Sequence, residues 1–280
     1  MSQKVQRGLL FVVPVFVAIF LLSIAPIDGW AQKGRKPPKN TLCSAFTDNF
    51  DGTAVDGNRW VVANGQAPGY RFAEHIGYYQ PDRVSVSEGY LRIRLTQEYG
   101  TVDGVGGVIS RGGLVYSKLK CGYGTYEWTV RMSTTADGPM NLSGGPVTGS
   151  VSAGFNYVNN SDTEIDFEFS AKDPQTLWMV NWHNTNTSQD PTEQHETYSW
   201  LNPFDSTTYF HHYKYVWEPG KITFYADGVQ RAVHTTDVPS AAAYFMINHW
   251  GTDGPNWGGY ASPYVTRYYY IDSVKFTPLP

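Results

Sequence analysis

The chain has two cysteines, seven histidines and little charge, and each shortage removes a class of chemistry. Charged residues fill 16% of its 280 positions, the formal net charge is −4 and the pI lies near 6. Nucleic acid is thereby excluded as the main partner, since phosphate neutralisation needs clustered cations. The histidines, including His211-His212, lack the partners and spacing of a zinc site. No serine sits in a nucleophile-elbow context, and Gly122-Tyr123-Gly124 lacks the third glycine of a phosphate cradle. A sustained 3.6-residue apolar period is almost absent, which argues against a helical frame.

Charge is also missing from Leu9 to Ala25, a mostly apolar run preceded by Lys4 and Arg7 and followed by Gly29-Trp30-Ala31. Those small residues stand at the two positions a signal peptidase reads, so residues 1–31 are expected to form an export signal. An uncleaved anchor is the competing reading, because the run just reaches bilayer-spanning length. Membrane contact is expected only in that case, and the mature protein is placed outside the cell, in the periplasm or in the envelope. Residues 32–40 are basic and proline-containing (Lys33, Arg35, Lys36, Pro37, Pro38, Lys39), which suits a solvated tether. No break or repeat divides residues 41–280, so one domain is expected there. In an exported chain, Cys43 and Cys121 most simply pair, with two buried thiols as the alternative. Such a bridge is worth about 4 kcal/mol in the chain-entropy model.

Short β-branched and aromatic runs recur between Gly, Pro, Asn and Asp clusters. Candidate strands are Tyr90 to Leu95, Thr125 to Met132, Ala153 to Tyr157, Thr163 to Ser170, Thr176 to His183, Tyr213 to Glu218, Lys221 to Ala226, Tyr244 to Trp250 and Tyr268 to Thr277. Pro219-Gly220 and Asp227-Gly228 mark turns, and the glycine-rich stretches Asp103 to Gly113 and Asp137 to Gly149 read as loops. The expected fold is all-β, a concave β-sandwich (jelly roll) of two antiparallel sheets. Aromatic residues reach 15% of the chain, a share suited to a concave surface lined with rings as well as a core.

Glu164-Ile165-Asp166-Phe167-Glu168-Phe169 alternates acid and apolar residues strictly. On a strand, Glu164, Asp166 and Glu168 share one face and the apolar residues the other. Crowded carboxyls push their pKa values apart, as an acid and base pair requires. The competing readings are an exposed acidic strand face and a divalent-cation site; acids are poor strand formers, and cation ligands gather more naturally from loops.

This run resembles the E-x-D-x-E signature of glycoside hydrolase family 16. The similarity extends to Phe50 to Gly52, Trp60, Gly122-Tyr123-Gly124-Thr125-Tyr126-Glu127, Val180-Asn181-Trp182, Tyr213 to Asp227, Met246-Ile247-Asn248-His249-Trp250 and Tyr270 to Phe276. The resemblance implies retaining hydrolysis of a polysaccharide, with Glu164 as nucleophile, Asp166 as assisting carboxyl and Glu168 as acid/base. The spacing lacks the extra residue of laminarinase-like members and is similar to that of lichenases, which cut mixed-linkage β-1,3-1,4-glucan, and of xyloglucan transglycosylases. Lichenase-like endo-β-glucanase activity is the expectation; transglycosylation, or a lectin-like module without catalysis, is the alternative. By the same resemblance Asn181, His183, Trp250, Trp257 and Glu127 are expected to face the cleft, with Arg131 sharing the parity of Glu127. No cofactor is needed for catalysis and no stable protein partner is implied. A structural calcium is implied on the convex side, held by the carbonyls of Asn49 and Gly89 and by Asp272.

Overall fold

A computed structural model describes residues 42–68, 75–102, 104–158, 161–184 and 194–280. The export signal and tether lie outside these residues. Among those described there is no α-helix, only a 3-10 turn at Pro81–Arg83.

One sheet runs in the spatial order β2 (Trp60–Val62), β7 (Val105–Cys121), β16 (Ala243–Gly251), β9 (Ser150–Val158), β10 (Thr163–Ser170), β11 (Leu177–Asn184) and β12 (Gln194–Leu201). The second runs β5 (Val84–Ser87), β6 (Tyr90–Val102), β17 (Arg267–Pro278), β8 (Gly124–Thr134), β13 (His211–Glu218), β14 (Lys221–Ala226) and β15 (Val229–His234). Short β1 (Phe46–Asp48) continues the line of β6 along β17. At one end β3 (Gly65–Gln66) joins β4 (His75–Tyr79), which pairs in parallel with β7; the other ladders are antiparallel. The architecture is the concave jelly-roll sandwich expected from the strand pattern.

The core lies between the sheets and is built from the alternate residues of each strand. Ile165, Phe167 and Phe169 of β10 are essentially fully buried, and the Phe167 ring lies 5.3 Å from both Tyr213 and Phe224 of the opposing sheet. Burying rings of this size supplies the main driving force for closing the sandwich. Gly154, opposite Phe167 on β9, is there for space. A Cβ at that position would come within 2.8 Å of the Trp128 indole. The β14–β15 turn has positive φ at both Asp227 (53°) and Gly228 (75°), as a two-residue hairpin with right-handed twist requires.

The glycine-rich stretch Asp103 to Gly113 corrects the loop expectation, because Val105–Cys121 is a continuous strand. Two of its glycines answer to packing: a Cβ on Gly112 would strike the His249 carbonyl oxygen at 2.0 Å, and one on Gly113 would strike Val84 at 2.6 Å. The stretch Asp137 to Gly149 is a loop, as expected. Cys43 and Cys121 form a disulfide with their α-carbons 5.0 Å apart.

Candidate active site

β10 is an inner strand, paired with β9 on one side and β11 on the other without a bulge from Glu164 to Phe169. Because the apolar residues are spent on the core, Glu164, Asp166 and Glu168 all project from the outer, concave face. Asp166 is 3% exposed, whereas the two glutamates keep part of their surface open. The Ser161 hydroxyl donates to Glu164 Oε2, and the Trp257 indole N–H donates to Glu168 Oε1 at 3.3 Å. Burial pushes the Glu164 carboxyl up to about 7 against the Ser161 hydrogen bond. Glu168 is pushed up to about 8 by burial and by the charge of Glu164, against the Trp257 hydrogen bond. Asp166 is raised well above the usual carboxylate range by burial and then by both glutamates. Near neutrality this group therefore retains protons, with Glu164 ionising more readily than Glu168. A proton donor and a carboxylate nucleophile on one face is what the arrangement offers.

The other expected site residues divide sharply. Trp257 sits on Glu168, and Trp250 shares the acids' face through the β9–β16 ladder. Asn181 and His183 do not: residues directly opposite on antiparallel strands share a face, and Asn181 is opposite Ile165, which points into the core. Asn181 is fully buried, its amide donating to the carbonyls of Thr236 (3.2 Å) and Asp237 (2.7 Å) and accepting from His234 Nδ1 (2.7 Å). His183 shares that parity and donates from Nδ1 to the Asp162 carbonyl. Glu127 is also misplaced by the expectation. It belongs to the second sheet, whose inward residues are Tyr126 and Trp128, and it pairs outside with Lys275 and His212, each at 3.2 Å. Arg131 lies buried on that same side, holding the carbonyls of Thr207, Pro139 and Asn141 and so tying two loops to β8. Asp272 lies at the junction where β1 and β6 meet end to end along β17. Asn49 and Gly89 are the next residues of those two strands, so the three positions converge. One carboxylate with backbone carbonyls is chemistry suited to calcium. Among the described residues no three His, Cys, Asp or Glu side chains cluster as a metal site.

A family model described as glycosyl hydrolases family 16 matches residues 74–268. The chain belongs to that family. A beta-glucanase of Acetivibrio thermocellus is 30% identical over 85% of this chain, which spans 63% of that relative's length. One from Bacillus subtilis (strain 168) is 27% identical over 96% of each chain. The structure of the Bacillus licheniformis beta-glucanase superposes with a TM-score of 0.66 at 23% identity, covering 85% of this chain and 99% of the other.

In this family 16 chain the floor of the concave face is apolar on both flanks of the acids, and most of it was missed in the sequence. Toward β7, Phe155, Met246 and Leu114 form a second apolar cluster with Tyr116, Tyr157 and Tyr244 packed on it. Toward the sheet edge, Trp178 stands opposite Glu168 and Trp182 opposite Glu164. Trp200 and Tyr198 of β12 stand opposite Trp178 and Val180. The signal for β11 was its hydrophobicity on both faces, which parity alone cannot orient.

Proposed function

We propose that this chain is an exported endo-β-glucanase that hydrolyses internal β-glucosidic bonds with net retention, acting on mixed-linkage β-1,3-1,4-glucan. The observation carrying this reading is the set of three carboxyls on one unbulged strand face, with Ser161 on the first and Trp257 on the last. Glu164 attacks the anomeric carbon while Glu168 protonates the departing glycosidic oxygen. Glu168, then a carboxylate, takes a proton from the water that attacks the same carbon, and Glu164 is released. Asp166, held protonated between them, limits the charge that accumulates when either glutamate ionises.

The unbroken register from Glu164 to Phe169 supports the mixed-linkage assignment, since the laminarinase-like spacing carries an extra residue there. Export is supported by Lys4, Arg7, the run to Ala25 and the Cys43–Cys121 bridge, which suits an oxidising compartment. Residues 32–40 then act as a tether for the domain 41–280. Calcium at Asp272, Asn49 and Gly89 has a structural role in this reading and takes no part in catalysis.

The test is a reducing-end assay over mixed-linkage glucan, laminarin, xyloglucan and bacterial exopolysaccharide. Mixed-linkage glucan should be cut fastest, and Glu164→Gln and Glu168→Gln should each lose at least about a hundredfold with unchanged circular dichroism. Either variant retaining near wild-type rate overturns the residue roles. Products longer than the substrate would make the protein a transglycosylase, and binding without cleavage by the intact protein would make it a lectin-like module.

A further inference from the structure

The apolar floor does not stop at the acids. Glu168, Trp178 and Trp200 stand in one cross-strand row over β10, β11 and β12. The Trp178 ring lies 5.4 Å from Trp257, 5.9 Å from Trp200 and 6.4 Å from Tyr198, and Tyr198 stacks on Trp200 at 6.0 Å with 26° between planes. Trp257 in turn donates to Glu168, so the four rings form one contiguous surface beginning at that carboxyl. Core packing does not account for its outer end. Tyr198 is 49% exposed and Trp200 58% exposed, on the face of the sheet turned away from the sandwich.

We propose that Trp178, Tyr198 and Trp200 form a binding platform for the leaving-group half of the glucan chain. The occupant follows from continuity. The proton donor must touch the glycosidic oxygen, so a surface that starts at Glu168 and runs outward receives the sugars on that oxygen's far side. Two strand spacings, roughly 10 Å, give the platform room for about two pyranose rings. Apolar ring faces of β-linked glucose can lie on aromatic planes without any hydroxyl being matched. This inference rests on the hydrolase reading and adds to it a preference for polymer over short substrates.

Two measurements test it. The first compares kcat/KM on mixed-linkage glucan with kcat/KM on an aryl β-oligoglucoside, whose leaving group carries no sugar. Trp200→Ala and Tyr198→Ala should lower the polymer-to-aryl ratio about tenfold, and Trp200→Phe should restore most of it. Trp178 is left intact because it packs on Trp257. A ratio unchanged in both alanine variants overturns the platform. The second measurement needs no catalysis: electrophoresis of Glu164→Gln through gels containing the glucan. Retardation that disappears when Trp200→Ala is added supports the platform, and equal retardation with and without Trp200 overturns it. Failure of the hydrolase reading would appear separately, as a wild type that releases no reducing ends.

Discussion

The two hydrogen bonds that hold Glu164 and Glu168 should separate their roles in a pH profile. Trp257→Phe keeps a ring against Trp178 and deletes the indole N–H that reaches Glu168 at 3.3 Å. A bond of that length is worth about 1 kcal/mol in favour of the carboxylate. At about 1.36 kcal/mol per pKa unit, its loss should raise the Glu168 pKa by roughly half a unit to one unit. If Glu168 is the proton donor, it must be protonated in the active form. Raising its pKa from about 8 then moves the alkaline limb of kcat/KM upward by the same amount. Ser161→Ala removes the donor from Glu164 and raises a pKa already near 7. The nucleophile must be ionised, so here the acid limb moves up and the active window narrows from below. The assay is initial-rate kcat/KM on soluble glucan from pH 4 to 10 for wild type and both variants. An alkaline limb unmoved or lowered in Trp257→Phe would refute the assignment of Glu168. A Ser161→Ala effect confined to the alkaline limb would show that the glutamates exchange roles.

The remaining expectations concern parts of the chain away from the acids. Cys43→Ser with Cys121→Ser should cost up to about 4 kcal/mol of stability, read as a lower Tm and a lower denaturant midpoint, with kcat near wild type at 25 °C. Arg131→Met strands the carbonyls of Thr207, Pro139 and Asn141, so stability should fall by about 2–3 kcal/mol in urea titration. Glu127→Gln alters only two partly exposed contacts, to Lys275 and His212, on the outer face of the second sheet, and its kcat/KM should stay within about twofold of wild type. A large activity loss in Glu127→Gln would restore that residue to the cleft. Chelation with EDTA should lower Tm and added calcium should restore it, an effect abolished in Asp272→Ala; a Tm indifferent to chelation removes calcium from the proposal.

What could be read in advance, and what could not, follows from how much freedom each residue type has. Three acids alternating with Ile165, Phe167 and Phe169 admit one orientation, because the reverse would bury every charge in the core. β10 and the face its carboxyls occupy were therefore legible. β11 carries Leu177 and Met179 on one face and Trp178, Val180 and Trp182 on the other, so either could have been the core side. The polar residues Asn181 and His183 suggested the wet face, yet Asn181 is buried and satisfied by two carbonyls and His234. Only the register set by Ile165 opposite Asn181 decides the matter, and that is a long-range fact. The same reasoning covers Glu127, whose outward position follows from Tyr126 and Trp128 filling the core between the sheets.

Exposure then separates rings that hold the fold from rings that meet a ligand. Trp128, Trp217 and Tyr215 are as aromatic as Trp200 and Tyr198, and composition cannot tell the sets apart. The first three are at most 1% exposed, and a polar ligand has no access to them. Half-exposed rings in a contiguous row leave apolar surface in water that a folded monomer would otherwise cover, and that cost is recovered only when something apolar on one side and polar on the other lies across them. A pyranose has that shape. The row begins at a carboxyl whose hydrogen-bond donor is itself a tryptophan, so substrate bound along it would press on the Trp257 ring that tunes Glu168. On the proposed platform, binding of the leaving-group sugars and the acidity of the group that protonates their oxygen would be coupled through a single indole.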